Sequence, residues 1–320
     1  MANSRYDYHK QEERYTDLRF NRGTYIIVRI DGDKFHNFSA QHSFHKPNDK
    51  RALDLMVESA KQLMRTYKGH IPLAYGHSDE FSFLIKCSSN ILSRRLFKIT
   101  SMLPVVFATS YNSNWYTFFG DQTRGEITTR KYDAWFDARP KEYPNYRSVI
   151  EYFKWRQIDC HINNLYNTTL HAMTGHYIRH ELEPNFAQSG GDQNSSEQNS
   201  SPSELKLDRT RIKRTPISEW ISDTSKFFTS RDATDKLSGT ISSDKHDIMF
   251  LDYKINYNNE LEQFKKGTVI VDTQRDFDGG NPDHEAIQHY YVDLIKKDNF
   301  WEQNRHIFDD LLPNVKLDET

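Results

Sequence analysis

The sequence predicts an α+β protein built on a β-α-β-β-α-β unit, the ferredoxin-like split arrangement in which an antiparallel sheet carries two helices on one face. Three observations predict it. An apolar, β-branched strand, Tyr25-Ile26-Ile27-Val28-Arg29-Ile30, ends at Asp31-Gly32. A long helical stripe and then an acidic hairpin follow it, and a second helix leads to a further strand.

Each element has a local signature. Gly76 and the polar run to Glu80 read as a hairpin turn, after which Phe81, Phe83 and Ile85 alternate as a strand. Between the two strands, Phe44-His45-Lys46-Pro47-Asn48-Asp49 leads into a helix capped by Asn48 or Asp49. Its stripe is Leu53, Met56, Val57, Ala60, Leu63, Met64 and Tyr67. Asn90 is the expected cap of the second helix, with Leu92, Leu96, Ile99 and Leu103 inward and Arg94, Arg95 and Lys98 outward. Alternation over Ala134 to Arg139 supplies the last strand of the unit, and the segment before Arg22 reads as a short helix or arm. Further on, Trp155, Ile158, Ile162, Leu165 and Thr169 share a helical face, while Arg156, Asp159, His161, Asn163, Asn164 and Asn167 form a dense polar set suited to hydrogen-bonding a base or phosphates.

Pairing the first strand with the hairpin brings Asp31 and Asp79 to one sheet edge. Crowded carboxylates repel, so one is protonated or a cation sits between them. Hard oxygen ligands favour Mg²⁺, which takes one or two protein carboxylates and leaves positions for substrate phosphates. Two such ions roughly 3.5 to 4 Å apart activate an attacking oxygen and stabilise a leaving one in phosphoryl or nucleotidyl transfer. Asp-Gly is also a common turn dipeptide, and the second acidic hairpin is what sets this one apart. Nucleotide polymerase palms and nucleotide cyclases place metal-binding acids on this architecture, although fold analogy alone does not give chemistry.

Composition narrows the class. A chain of 320 residues with 36% hydrophobic and 13% aromatic content can build a packed core. No apolar run approaches the roughly 20 residues of a membrane span, and the N-terminus lacks the apolar core of a signal peptide, so the expectation is a cytoplasmic protein, or a nuclear one. Cys87 and Cys160 have no metal-site spacing and fit a reducing compartment. A net charge of -2 does not advertise nucleic-acid binding, though local basic patches can still provide it.

The stretches Val28-Arg29-Ile30-Asp31-Gly32, Lys46-Pro47-Asn48-Asp49, Ser78-Asp79-Glu80, Trp155-Arg156-Gln157, His161-Ile162-Asn163-Asn164-Leu165-Tyr166-Asn167 and Asn256-Tyr257-Asn258-Asn259-Glu260-Leu261 resemble, in order, the signatures of the histidine-tRNA guanylyltransferase family, reverse (3′ to 5′) polymerases that add a guanylate to a tRNA 5′ end. The His161 to Asn167 stretch resembles the eukaryotic enzymes more than their tRNA-repairing relatives.

The resemblance implies a polymerase-palm core over 1–145 and a helical and C-terminal part over 146–320 that completes the site. It implies that Asp31, the Gly32 carbonyl and Asp79 bind two Mg²⁺ ions, with Asp31, Asp79 and Glu80 as the catalytic acids. Nucleotide-binding positions are then Asp31, Gly32, Asp33, Lys34, Phe35, His36, Lys46, Asn48, Ser78 and Asp79. Arg95, Lys98, His161, Asn164, Lys245, Asn256 and Asn258 fall to the tRNA or a triphosphate. The implied substrates are ATP, GTP and tRNA(His), and the implied assembly is a homotetramer. ATP adenylylates the tRNA 5′-phosphate, the GTP 3′-hydroxyl displaces AMP, and pyrophosphate is then removed. Template-dependent 5′-end tRNA repair and a nucleotidyl cyclase on the same palm are the competing activities, and an idle tRNA-binding module is countered by the presence of Asp31 and Asp79.

The chain departs from the family pattern between Met173 and Asp235. A low-complexity insertion near 187–206, rich in Ser, Gln, Asn and Gly over Ser189 to Ser203, is expected to be disordered. The basic cluster Arg209 to Arg214 suits RNA phosphates, nuclear import or a solvated charge run. The family pattern resumes at Leu237 and continues through Phe300-Trp301, apart from Asp276 to Glu285.

Overall fold

The structure is a computed structural model that describes residues 5–14, 17–120, 128–182, 212–273, 286–296 and 300–309. Along the chain run α1 (Tyr8–Arg14), β1 (Tyr25–Gly32), α2 (Phe35–Gln41), α3 (Lys50–Thr66), β2 (Leu73–His77), β3 (Glu80–Ile85), α4 (Leu96–Ser113), α5 (Trp115–Phe119), β4 (Phe136–Tyr143) and α6 (Tyr146–Met173). There follow β5 (Ile178–Leu182), β6 (Ile212–Pro216), α7 (Ser230–Leu237), α8 (Ser242–Asp247), α9 (Glu262–Lys266), β7 (Thr268–Asp272), β8 (Ile287–Tyr290) and α10 (Phe300–Gln303). Two compact units result, one of Met1–Leu165 with Glu262–Thr320, the other Tyr166–Leu261.

The first unit holds a six-stranded sheet in the order β4-β1-β3-β2-β7-β8, every neighbouring pair antiparallel. Its first four strands and the helices α3 and α4 are the predicted split unit. Alternation along β1 sends Ile26, Val28 and Ile30 into a core with Leu55, Met56, Ala60, Leu63 and Met64 of α3 and Ile99, Leu103 and Phe107 of α4. The opposite face, carrying Tyr25, Ile27, Tyr75 and Leu84, is covered as well, by Val149, Ile150 and Phe153 of α6 and by Phe300, Trp301 and Phe308. Asp49 rather than Asn48 caps α3, accepting from the Arg51 backbone N–H.

Three local expectations are corrected. The segment after Asn90 is not yet a regular helix: Leu92, Ser93 and Arg94 have φ of 49°, 56° and 57°, and α4 starts only at Leu96. Instead of facing solvent, the Arg94 guanidinium turns inward and donates to the carbonyls of Ser89 (3.0 Å) and Thr24 (2.8 Å). The last strand of the unit is Phe136–Tyr143, longer than the alternation suggested; it tolerates Pro140 because β4 is an edge.

The third correction concerns α6. Trp155, Ile158 and Ile162 are exposed, at 51%, 43% and 55%, whereas Arg156, Gln157, Asn164 and Thr168 are buried. Buried polar groups persist only with partners, and here they have them. Gln157 donates to the carbonyls of Lys266 and Val292 (2.9 and 2.8 Å) and accepts from the Leu294 N–H.

In the second unit β5 pairs with β6, α7 buries Ala233 and Leu237, and one turn of π-helix spans Ile248–Asp252. Ser189 to Ser203 and the first half of the Arg209 to Arg214 cluster lie outside the described residues; Ile212, Lys213 and Arg214 belong to β6.

Candidate active site

The site forms where the end of β1 lies beside the start of β3. In their antiparallel register Asp31 stands opposite Glu80, and on the other side of β1 it stands opposite Asp137 of β4. The Gly32 N–H donates to the Asp79 carbonyl at 3.1 Å, which ties the hairpin tip to the end of β1. A Cβ on Gly32 would come within 2.3 Å of the Phe35 ring, so glycine is needed for the close return of the chain into α2. The tip itself, Ser78, takes φ 51°.

Charge is unevenly balanced there. Asp31 has its pKa raised, first by burial and then by the negative Asp79 and Glu80; Arg29 at 3.7 Å and Arg139 at 3.8 Å offset this only in part. Burial also raises Asp79, against the hydroxyl of Ser78, which donates to it at 2.9 Å. Glu80 behaves oppositely. Burial pushes it up, but His77, Arg156 and Arg29 outweigh that, and its carboxyl is held below the ordinary range. Arg156 reaches Glu80 at 2.8 Å through both Nε and a terminal nitrogen, and spans to Asp159 at 2.8 Å. His77 Nε2 approaches Glu80 to 3.2 Å without hydrogen-bond alignment.

Lys46 stands close enough to feel both Asp49 and Asp79, donates to Ser39 Oγ at 3.2 Å, and has its pKa lowered by burial. Asn48 donates to Asn164 of α6 at 2.8 Å. Asp33, Lys34 and His36 are exposed in the loop and first turn that follow Gly32. The Phe35 ring instead faces the core, stacked at 4.9 Å on Phe38, so any contact it makes with a ligand is through its backbone.

Other predicted residues lie elsewhere. Arg95 caps the far end of α4 and pairs with Asp17, Leu96 N–H donates to Leu18 O, and Lys98 is exposed one turn on. These neighbours lie beyond Thr24, and the seven residues from there to Asp31 span about 20 Å of strand. Within one chain Arg95 and Lys98 are therefore remote from the carboxylates. His161 is exposed on α6. In the second unit Lys245 donates to Thr240 O and Oγ1, both at 2.8 Å, and Asn256 caps the Asn258 N–H at 3.1 Å. Sequence reasoning gave no role to Arg29 or Arg139, and it placed Arg156 in a polar set for a base or phosphates rather than on Glu80. The alternation that puts Arg29 on the Asp31 face of β1 was the available signal.

The donors fit a hard divalent cation: two carboxylates strained by burial and mutual charge, with a backbone carbonyl beside them. Among the described residues no group of three or more His, Cys, Asp or Glu side chains is placed to hold a metal ion; an ion held by two carboxylates and substrate oxygens needs no such group.

Comparison with known proteins settles the family. Residues 6–144 match the tRNAHis guanylyltransferase model, and 147–200 with 220–305 match the Thg1 C terminal domain. The chain belongs to the tRNAHis guanylyltransferase family. A tRNA(His) guanylyltransferase of Debaryomyces hansenii is 35% identical over 316 residues, 95% of this chain and 98% of its relative. One from Eremothecium gossypii is 37% identical over 84% of this chain and 91% of its own length. The crystal structure of the Saccharomyces cerevisiae family member superposes with a TM-score of 0.62 at 33% identity, covering 83% of this chain and 93% of that one. A bacterial family-like protein, solved in complex with ATP, shares the fold at TM-score 0.61 and 20% identity.

Proposed function

We propose that this nucleotidyltransferase is a tRNA(His) guanylyltransferase that uses ATP to adenylylate the tRNA 5′-phosphate and then joins GTP through its 3′-hydroxyl, expelling AMP, before pyrophosphate is removed. The observation that carries the reading is the pair Asp31 and Asp79, both raised in pKa at one strand edge of a chain with this family membership. Asp31, Asp79 and the Gly32 carbonyl would hold Mg²⁺, which when bound supplies positive charge for the phosphoryl oxygens. Ser78 fixes the Asp79 carboxylate. Lys46, Arg29 and Arg139 surround the carboxylates with cations that can meet triphosphate or RNA phosphate, so positioning and charge do the work and no covalent protein nucleophile is required.

Glu80 is locked to Arg156, and we assign it the task of holding Arg156 and α6 against the strand edge. Residues 1–145 carry the chemistry in this reading, and from 146–320 Asn164 joins them by accepting from Asn48. The exposed apolar side chains of α6 (Trp155, Ile158, Ile162) and of α4 (Phe97, Met102, Val105) suit burial in a homotetramer. Sedimentation of the purified protein tests the assembly.

The decisive experiment incubates the protein with 5′-monophosphorylated tRNA(His), ATP, labelled GTP and magnesium. Label at the tRNA 5′ end, dependent on ATP, is the expected result. A cyclic nucleotide formed without RNA, or no transfer at all, overturns the proposal.

A further inference from the structure

Leading into β4, the chain is held at almost every residue. Lys131 N–H donates to His42 Nε2 at 2.9 Å, Arg130 pairs with Asp133 at 3.0 Å, and Asn112 grips Ala134 from both sides, accepting from its N–H at 2.9 Å and donating to its carbonyl at 3.0 Å. The Trp135 carbonyl accepts from the Asp33 N–H at 2.9 Å. On this rigid backbone the indole of Trp135 is 70% exposed, more than any other large hydrophobic side chain among the described residues. Its ring and N–H have no partner among them. Burying so large a ring is favourable, and none of the described residues does it.

Its position gives the exposure a meaning. The next residue, Phe136, pairs with Gly32, and Asp137 pairs with Asp31. Strand alternation sends Phe136 and Ala138 to the core, so Trp135 continues the row of Asp137 and Arg139, the row opposite Asp31 and Arg29. An aromatic plane therefore stands at the rim of the candidate active site, in the same row as Asp137 and Arg139 and on backbone tied to Asp33, the residue after Gly32.

We infer that Trp135 is a stacking platform for an unpaired nucleobase at the acceptor end of the RNA substrate, positioning the 5′-phosphate over the carboxylates. This rests on the function proposed above. An enclosed pocket suits the base of a free nucleotide, whereas an open indole in the row that leads to Arg139 matches a single-stranded polymer end, whose bases stack on aromatic side chains while basic groups follow its backbone. As a positioning residue, Trp135 acts on RNA affinity and not on the chemistry.

The test compares full-length wild type, Trp135→Ala and Trp135→Phe. Direct binding to 5′-monophosphorylated tRNA(His) is measured across a salt series, alongside KM for tRNA, ATP and GTP and the thermal melting temperature. Trp135→Ala is expected to weaken tRNA binding about tenfold or more, with the loss in KM for tRNA and the salt slope unchanged, because stacking releases no counterions. Trp135→Phe restores most of the affinity, and melting temperatures stay within about 1 °C of wild type, as for an exposed side chain. Unchanged tRNA affinity in Trp135→Ala overturns the inference. So does a rise in KM for ATP or GTP without a tRNA effect. Direct binding is scored without turnover, so a wild type that binds tRNA but transfers no guanylate defeats the proposed function alone.

Discussion

Two pairs of aspartates, Asp31 with Asp79 and Asp309 with Asp17, stand at the two ends of one sheet in opposite electrostatic settings. Where β1 ends and β3 begins, Asp31 and Asp79 are both raised in pKa, because burial and the neighbouring carboxylates exceed what Arg29, Arg139 and Ser78 return. At the other end Asp309 accepts from the backbone N–H groups of Cys87 and Ser88 and from the Cys87 thiol, and its pKa falls to about 2. Asp17 is lowered there too, chiefly by Arg19, with Arg95 on its other side. A cavity of about 480 Å³ lies at this second end, lined by Arg22, Cys87, Asn90, Arg94 and Asp309, far from the chemistry. Asp309 and Asp17 are supplied with donors, whereas Asp31 and Asp79 are left under-compensated, the pattern expected of acids that await a substrate or cation.

The largest effect should follow from Asp31→Asn or Asp79→Asn. Each removes charge stabilisation worth several kcal/mol, so guanylylation should fall by about 10³ or more. In chelator-treated protein the same changes should raise the melting temperature, since they relieve a buried charge. Near-normal turnover would erase the contrast between the two ends.

Next comes Arg156→Ala, which strands Glu80 in a site where that side chain is only 11% exposed. Removing one partner of a buried pair costs about 3 kcal/mol or more. Denaturant titration reads this directly, and a loss under about 1 kcal/mol would show that His77 and Arg29 suffice. Asp309→Asn tests the far end. Its folded pKa of about 2 lies below the ordinary 3.8, so its stabilisation is present above about pH 4 and lost as pH falls towards 2. Because the side chain is partly solvated, the cost at pH 7 is on the order of 1 kcal/mol, and the mutant and wild type should converge in acid. Equal stability at pH 7 would refute the assignment. The smallest effect is that of Lys98→Ala: stability within about 0.5 kcal/mol of wild type, and a salt slope for tRNA binding lower by about 1. An unchanged slope would make Lys98 a merely solvated charge.

Much of this was legible in residue order, and the exceptions are instructive. The strand that stops at Asp31-Gly32, the hairpin at Ser78-Asp79, the cap and stripe of α3 and the order of the split unit all depend on neighbours a few residues apart. Motif spacing carried the family, and with it the carboxylate pair. Periodicity misjudged α6 because it assumes that apolar residues face inward. Which side of that helix is buried was decided by partners remote in sequence: Glu80 for Arg156, and the backbone of Lys266, Val292 and Leu294 for Gln157. Arg94 was misread in the same way, since Thr24, seventy residues away in sequence, draws it inward and sets the backbone of the turn before α4. The sequence by itself determined the strands, caps and acids, because local sterics and side-chain spacing suffice for them. Only the tertiary structure decided which polar groups are buried and which cations stand beside Asp31, because a buried charge is tolerated only where the fold brings a distant partner to it.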